Sequence, residues 1–296
     1  MNSQKEYETL SFLMIQNLIK DKVSKNEKFF IGRLSGNETN LTGKVFTQSP
    51  INHGLMHEML YTAGIQFKSN EDIIEYVKLY DNAVSKTTLI ATWDGVMRSQ
   101  CIEYYNYMHV KYPDITRVSA IALEPFYYFN NSKYEYDKLF ENKRVLIITS
   151  QKETTLQQLA KLDSCYPDKK IFHKTTSFHV YKPCQQNGGS HDENAWHFHY
   201  NKMKEDLKKI KESEFDFDVA FVSCGGFGMI LSEYIYSELN TSTIYVGGGL
   251  QLYFGILGKR WSSNETINRI KNNSWVFPVK EDMPKNSVSC EGGCYW

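Results

Sequence analysis

The 296 residues carry 41% hydrophobic side chains, enough to bury one large core or two modest ones, and a single continuous α/β domain over 1–296 is the expectation. Lys and Arg total 34 and Asp and Glu total 34, so no global field steers the chain to nucleic acid or anionic lipid. No apolar stretch approaches the ~20 residues that span a bilayer, and Met1-Asn2-Ser3-Gln4-Lys5-Glu6 is unlike a signal peptide, which predicts a cytoplasmic protein with no membrane span.

Residues 6–22 place Leu10, Phe12, Leu13, Ile15, Leu18 and Ile19 at the spacing of an amphipathic helix, one that covers an edge of a sheet. Phe29-Phe30-Ile31 then reads as a short buried strand. It runs into Gly32-Arg33-Leu34-Ser35-Gly36-Asn37-Glu38, a turn rich in small and polar residues. Residues 52–84 are mostly helical in pattern. Residues 87–93 read as a strand ending at Asp94, and residues 118–123 as a strand ending at Glu124, where Pro125 discourages continuation. In a parallel sheet these three strands deliver Glu38, Asp94 and Glu124 to one rim, where they would hold a divalent cation or act as a general base. Acids at strand ends also serve simply as caps of the helices that follow.

Residues 144–149 form a buried strand, followed by a helix over 153–162, and 170–175 reads as a further short strand. A polar glycine-containing loop over 185–190 precedes a charged helix over 194–213. His197 and His199 on that helix are two apart and point to different faces, unlike the i, i+4 pair of a metal site. Its lysines are interrupted by Glu205, Asp206 and Glu212, the pattern of a solvated face. The six cysteines include no C-x-x-C pair, so reduced thiols are expected, and Tyr295 and Trp296 are expected to pack the C-terminal tail (about 275–296).

The most informative stretch is 217–261. Residues 218–224 are a continuous apolar run of strand length, Gly225-Gly226-Phe227-Gly228 is a turn without side-chain bulk, and 229–239 repeats apolar residues at helical spacing. The unit recurs as a strand over 242–246, a turn Gly247-Gly248-Gly249 and an apolar helical run over 250–257. Two strands joined by one helix make a βαβ crossover whose strand ends share the rim at which ligands bind. Glycines there let backbone N–H groups approach a phosphate or diphosphate, and Lys259 and Arg260 add positive charge. Tight turns with no ligand are the alternative. The turns are not G-x-G-x-x-G, no acid closes the second strand, and Arg260 stands where a phosphate-binding loop needs Ser or Thr; this disfavours a dinucleotide site and a Walker-type ATPase.

Alternating strands and helices from 29 to 257 define an α/β fold with a Rossmann-like, mostly parallel, doubly wound sheet. Within it, Phe30-Ile31-Gly32-Arg33-Leu34-Ser35-Gly36-Asn37-Glu38 resembles the N-terminal signature of the GT-D-fold glycosyltransferases, where Arg-Phe-Gly-Asp-Gly-Glu follows the first strand. Residues 143–149, 218–228 and 244–251 are similar to that family's later strands and turns. Phe254-Gly255-Ile256-Leu257-Gly258-Lys259-Arg260-Trp261 and the Glu291-Gly292-Gly293-Cys294-Tyr295-Trp296 ending resemble a polysaccharide-biosynthesis branch. The resemblance implies an enzyme that transfers a sugar from a nucleotide-sugar donor, commonly a UDP-sugar, to a glycan acceptor. It puts the family's metal- and donor-associated Glu on Glu38 and the preceding Arg on Arg33, while the companion Asp is Gly36 here. One carboxylate is a poor sole ligand for Mg²⁺ or Mn²⁺. Either Asp94 or Glu124 supplies a second, or Lys259 and Arg260 neutralise the diphosphate without metal. On this reading Gly225, Gly226, Gly228, Gly247, Gly248 and Gly249 hold the diphosphate with Gln251 nearby, and Glu124 or Asp94 takes the acceptor proton. A catalytically degenerate nucleotide- or sugar-binding protein of the same fold is the competing reading.

Overall fold

The computed structural model describes residues 2–296. Seven short strands, β1 (Phe30–Arg33), β2 (Leu89–Thr92), β3 (Thr116–Ser119), β4 (Arg144–Thr149), β5 (Ser177–Tyr181), β6 (Val219–Ser223) and β7 (Ser242–Tyr245), form one sheet in the order β3-β2-β1-β7-β6-β4-β5. Every pairing is parallel. The expected α/β, Rossmann-like, doubly wound architecture is therefore present, and more uniformly parallel than the sequence required.

The central strands are continuous apolar runs because both of their faces are buried. Ile31, Val145, Ile147, Phe221 and Ile244 face a core layer closed by the helix Asn2–Ser24 through Phe12, Ile15 and Ile19. Phe30, Ile90, Leu146, Ile148, Ala220 and Val222 face the other layer. That side is covered by the helices Gly36–Phe46, Asn70–Ser85, Ile102–Lys111, Trp196–Lys209 and Gly228–Ser237. No helix among the described residues is long and apolar enough to cross a membrane.

Two predicted strands are misplaced. The run 118–123 stops being a strand at Ser119, which pairs with Thr92, the last residue of β2. With no partner beyond that point the chain tightens into a 3₁₀ helix, Ala120–Leu123, and buries Ala120, Ala122 and Leu123 in the core layer under the N-terminal helix. Residues 170–175 are not a strand either. Ile171 and Phe172 are apolar because Phe172 packs on Phe140, Phe221 and Phe254, and the strand that pairs with β4 begins later, at Ser177. The predicted helix over 250–257 is a 3₁₀ helix, Gly247–Phe254, ended by Gly255 at φ 66°.

From β1 the chain runs outward through β2 to β3, then returns to build β4 to β7, so that β7 comes to rest against β1. The connections leaving the strands on the two sides of this seam diverge, which opens a crevice at the carboxyl ends of the strands.

Candidate functional site

That crevice is a cavity of ≈ 340 Å³. Segments following six of the seven strands line it: Arg33 and Glu38 after β1, Trp93 after β2, Gln151 after β4, Gln185 after β5, Gly225 after β6, and Gly247 and Gly248 after β7.

Arg33 ends β1 and is the centre of the site. Its guanidinium lies 5.5 Å from the ring centre of Trp93 and 5.4 Å from that of Tyr245, and its Nε is buried without a hydrogen-bond partner. Aromatic faces attract a cation, so they hold the group in place while Nε keeps no partner. The guanidinium fits there because residue 247 is glycine: a Cβ at Gly247 would collide with it, and the backbone at that point has φ 71°, which favours glycine.

The other glycines of the second turn have similar local reasons. A Cβ at Gly248 would enter the ring of Tyr295, and one at Gly249 would strike the carboxylate of Glu124. In the first turn, a Cβ at Gly225 would lie 2.6 Å from the carbonyl oxygen of Ala63, Gly226 abuts Ile65 and Gly228 abuts the Tyr245 ring. Gly225, Gly247 and Gly248 line the cavity; Gly226, Gly228 and Gly249 stand behind it against protein.

The three predicted carboxylates do not come together. Glu38, in the first turn of the helix Gly36–Phe46, is 5% exposed and faces the cavity. Burial raises its pKa, partly offset by hydrogen bonds from Ser35 and its own backbone N–H and by the charge of Arg33, while Glu291 across the cavity pushes it up further. Glu124 lies beneath Gly249 and not on the cavity wall, and it arrives there through the 3₁₀ turn instead of directly from a strand end. Burial lifts its pKa from the usual 4.5 to about 7, against the pull of Arg33 and Arg260. Asp94 is on the outside. Its side chain keeps 42% of its surface, lies 3.9 Å from Arg98 and accepts a hydrogen bond from Gln4 at 3.3 Å.

Among the described residues no three His, Cys, Asp or Glu side chains converge as a metal-binding group. Of the three carboxylates on the cavity wall, Glu38 is buried with a raised pKa and Glu291 is taken by Arg260, and with Glu58 they do not converge, so the donor set does not fit a divalent cation held by protein ligands alone. His197 and His199 take separate partners, Asp72 at 3.9 Å and Asp192 at 3.0 Å.

Of the two predicted cations near residue 260, only Arg260 lines the cavity; Lys259 is exposed outside it. Arg260 pairs with Glu291 and its Nη1 donates to the hydroxyl of Tyr295 at 3.2 Å. Gln251 is buried and already engaged: its Nε2 donates to the carbonyls of Ile256 at 3.2 Å and Tyr295 at 3.3 Å, and its Oε1 accepts from Gln151 at 3.2 Å.

Several lining residues escaped the sequence reading. Gln151 follows β4, Gln185 opens the polar loop after β5, whose residues were given no role, and Glu291, Tyr295 and Trp296 come from the tail. Strand ends offered a signal for the first two. Nothing in the spacing marks the tail, which joins the site only in three dimensions. Besides Arg33 Nε, the buried atoms Gln151 Oε1, Gln185 Nε2 and Trp296 Nε1 have no hydrogen-bond partner. The side chains that carry these three donors and one acceptor line a cavity with two guanidinium groups and several aromatic faces. Such a site suits a polar, anionic small molecule with an aromatic part.

The geometry defines an α/β protein with a ligand-type crevice at its strand ends. No protein-family model, curated protein or solved structure matches this chain.

Proposed function

We propose that the chain is a glycosyltransferase that uses a nucleotide-sugar donor, in the first instance a UDP-sugar, and a glycan acceptor, on a GT-D-like frame. The observation that carries the reading is Arg33, whose unpartnered buried Nε is clamped between Trp93 and Tyr245 over Gly247 at the end of β1. A desolvated guanidinium with free donors is strongly favoured by a diphosphate, which accepts several charge-assisted hydrogen bonds. Arg260 supplies a second positive charge on the same wall. The aromatic side chains of Phe227 and Trp296 on the wall offer stacking surfaces for a base or a sugar.

In the transfer step an acceptor hydroxyl oxygen forms a bond to the anomeric carbon, the bond from that carbon to the diphosphate breaks, and the diphosphate leaves with the electron pair. Its developing charge falls to Arg33 and Arg260. The hydroxyl proton goes to a carboxylate, and Glu38 is the one of the three sequence candidates that faces the cavity. Its raised pKa makes it a better base near neutrality. Glu124 and Asp94, which do not line the cavity, are not assigned this step.

The test is release of UDP from a panel of UDP-sugars with glycan acceptors, with and without Mn²⁺. Turnover by the wild type that falls ~100-fold or more in Glu38→Gln is the expected result. Undiminished turnover in that variant overturns the assignment. A second reading, a degenerate binding protein of the same fold, is favoured by Gly36 at the family's Asp position and by the burial of Glu38. It is distinguished by donor binding without turnover under any of these conditions.

A further inference from the structure

The C-terminal residues are part of the cavity wall and are built in an unusual way. Glu291 is a non-glycine residue at φ 48°, followed by Gly292 at 66° and Gly293 at 77°, three consecutive left-handed residues. A side chain in that region is strained unless its surroundings hold it there. Glu291 is held by Arg260, through a carboxylate–guanidinium pair that is only partly shielded, the two side chains keeping 36% and 45% of their surfaces, and by the Cys294 thiol, which donates to Glu291 Oε2 at 3.2 Å. The rest of the strap is latched by backbone and amide contacts. Arg260 N donates to the carbonyl of Cys294 at 2.9 Å, and Gln151 and Gln251 both donate to the carbonyl of Tyr295 at 3.3 Å.

Arg33 and Arg260 are the cavity's only Lys or Arg side chains among the described residues, whereas Glu38, Glu58 and Glu291 all line it. An incoming diphosphate therefore meets Arg260 already neutralised, and meets a carboxylate where its own oxygens would lie. The arrangement is a pre-formed anion site holding an internal anion.

We propose that Glu291 is a built-in counter-anion that occupies Arg260 until a phosphate-bearing ligand replaces it, so that ligand entry frees Glu291 and loosens the strap over 291–293, while the contacts of Cys294 and Tyr295 keep the end of the chain on the wall. This inference rests on the cavity being an anion site, as proposed above. It makes Glu291 a selectivity device: a ligand must carry enough charge to displace a tethered carboxylate, which favours diphosphates over singly charged compounds.

The probe is inorganic pyrophosphate, titrated calorimetrically into wild type, Glu291→Gln, Glu291→Ala, Arg260→Gln and the double variant Arg260→Gln/Glu291→Gln. Removing the internal carboxylate is expected to tighten pyrophosphate by about threefold or more, the scale of a partly exposed ion pair. The gain appears in both Glu291 variants and vanishes when Arg260 is absent. Amide hydrogen exchange over 291–293 is expected to speed up when pyrophosphate binds the wild type. Equal or weaker binding by the Glu291 variants, or slower exchange in the tail, overturns the proposal. If UDP and UDP-sugars bind no variant while the pyrophosphate gain persists, the nucleotide-sugar reading falls and the counter-anion stands. Pyrophosphate binding to none of the proteins removes both.

Discussion

The two ends of the sheet carry cavities of similar size and opposite character. At the amino ends of the strands a cavity of ≈ 400 Å³ is lined by Glu27, Lys28, Lys143, Lys211 and Asp218, as many charged side chains as line the carboxyl-end cavity of ≈ 340 Å³. Those charges are largely spoken for. Lys28 donates to the carbonyl of Tyr236 at 2.9 Å and lies over its ring, Lys211 pairs with Asp216 at 2.7 Å, and Asp218 accepts from Arg144 Nη2 at 2.9 Å and from its backbone N–H at 2.8 Å. Burial works to raise the pKa of Asp218, yet the hydrogen bonds from Arg144 hold it below the usual carboxylate range. At the carboxyl ends Arg260 and Glu291 pair with each other, but Arg33, Gln151, Gln185 and Trp296 each keep one buried polar atom without a partner, and Glu38 and Glu124 have raised pKa values. Volume does not separate a binding site from a gap between elements; unmet hydrogen-bonding capacity does.

The sharpest way to break this contrast is to neutralise Arg33. Arg33→Gln is expected to weaken nucleoside diphosphate binding by ~30-fold or more, about 2 kcal/mol, while leaving the midpoint of urea unfolding unchanged or slightly raised, since a buried unpartnered donor is removed. Loss of stability in step with binding would make Arg33 a structural residue. Next in size is Glu124→Gln. Because burial raises the folded pKa to about 7, the folded state holds this proton more tightly than the unfolded chain. The associated stability is present below the unfolded value and is lost as pH rises through about 7, by up to about 3 kcal/mol on the scale of 1.36 kcal/mol per pKa unit. Denaturant melts at pH 5 and pH 8 should show the wild type losing stability and the variant holding level over the same interval.

Gly247→Ala tests whether the second turn exists to seat Arg33. A left-handed φ of 71° costs an alanine about 1–2 kcal/mol, and the new methyl must push the guanidinium aside, so stability and binding fall together. Stability lost with binding intact would separate the turn from the site. The smallest effect belongs to the other rim. Arg144→Gln breaks a half-exposed fork to Asp218 and is expected to cost about 1 kcal/mol in a urea melt with no change in nucleotide binding.

How much of this was legible in the sequence follows the same division between centre and periphery. The central strands β1, β4, β6 and β7 were plain because burial on both faces leaves an uninterrupted apolar run, and the glycine turns after β6 and β7 stood out for lack of side chains. Edge elements were not. β3 pairs on one side only and ends where β2 ends, so the apolar residues that follow it serve a 3₁₀ turn; Ile171 and Phe172 are apolar for packing and not for pairing. Glu38 and Arg260 could be named because each follows a legible element, and Arg33 through the resemblance carried by residues 30–38. Glu291, Tyr295 and Trp296 could not, since what brings them to the cavity is the contact of a tail with Arg260, Gln151 and Gln251, which no local pattern encodes. The glycines were read as room for a ligand. At Gly247, Gly248 and Gly249 the room is filled by Arg33, Tyr295 and Glu124, the protein's own side chains.

Calorimetric titration of UDP into the wild type, Arg33→Gln and Lys143→Gln tests most directly that the carboxyl-end cavity is the anion site. Saturable binding by the wild type, weakened ~30-fold in Arg33→Gln and unaltered in Lys143→Gln, is the expected result. No binding by the wild type, or binding that survives in Arg33→Gln and is lost in Lys143→Gln, would contradict it.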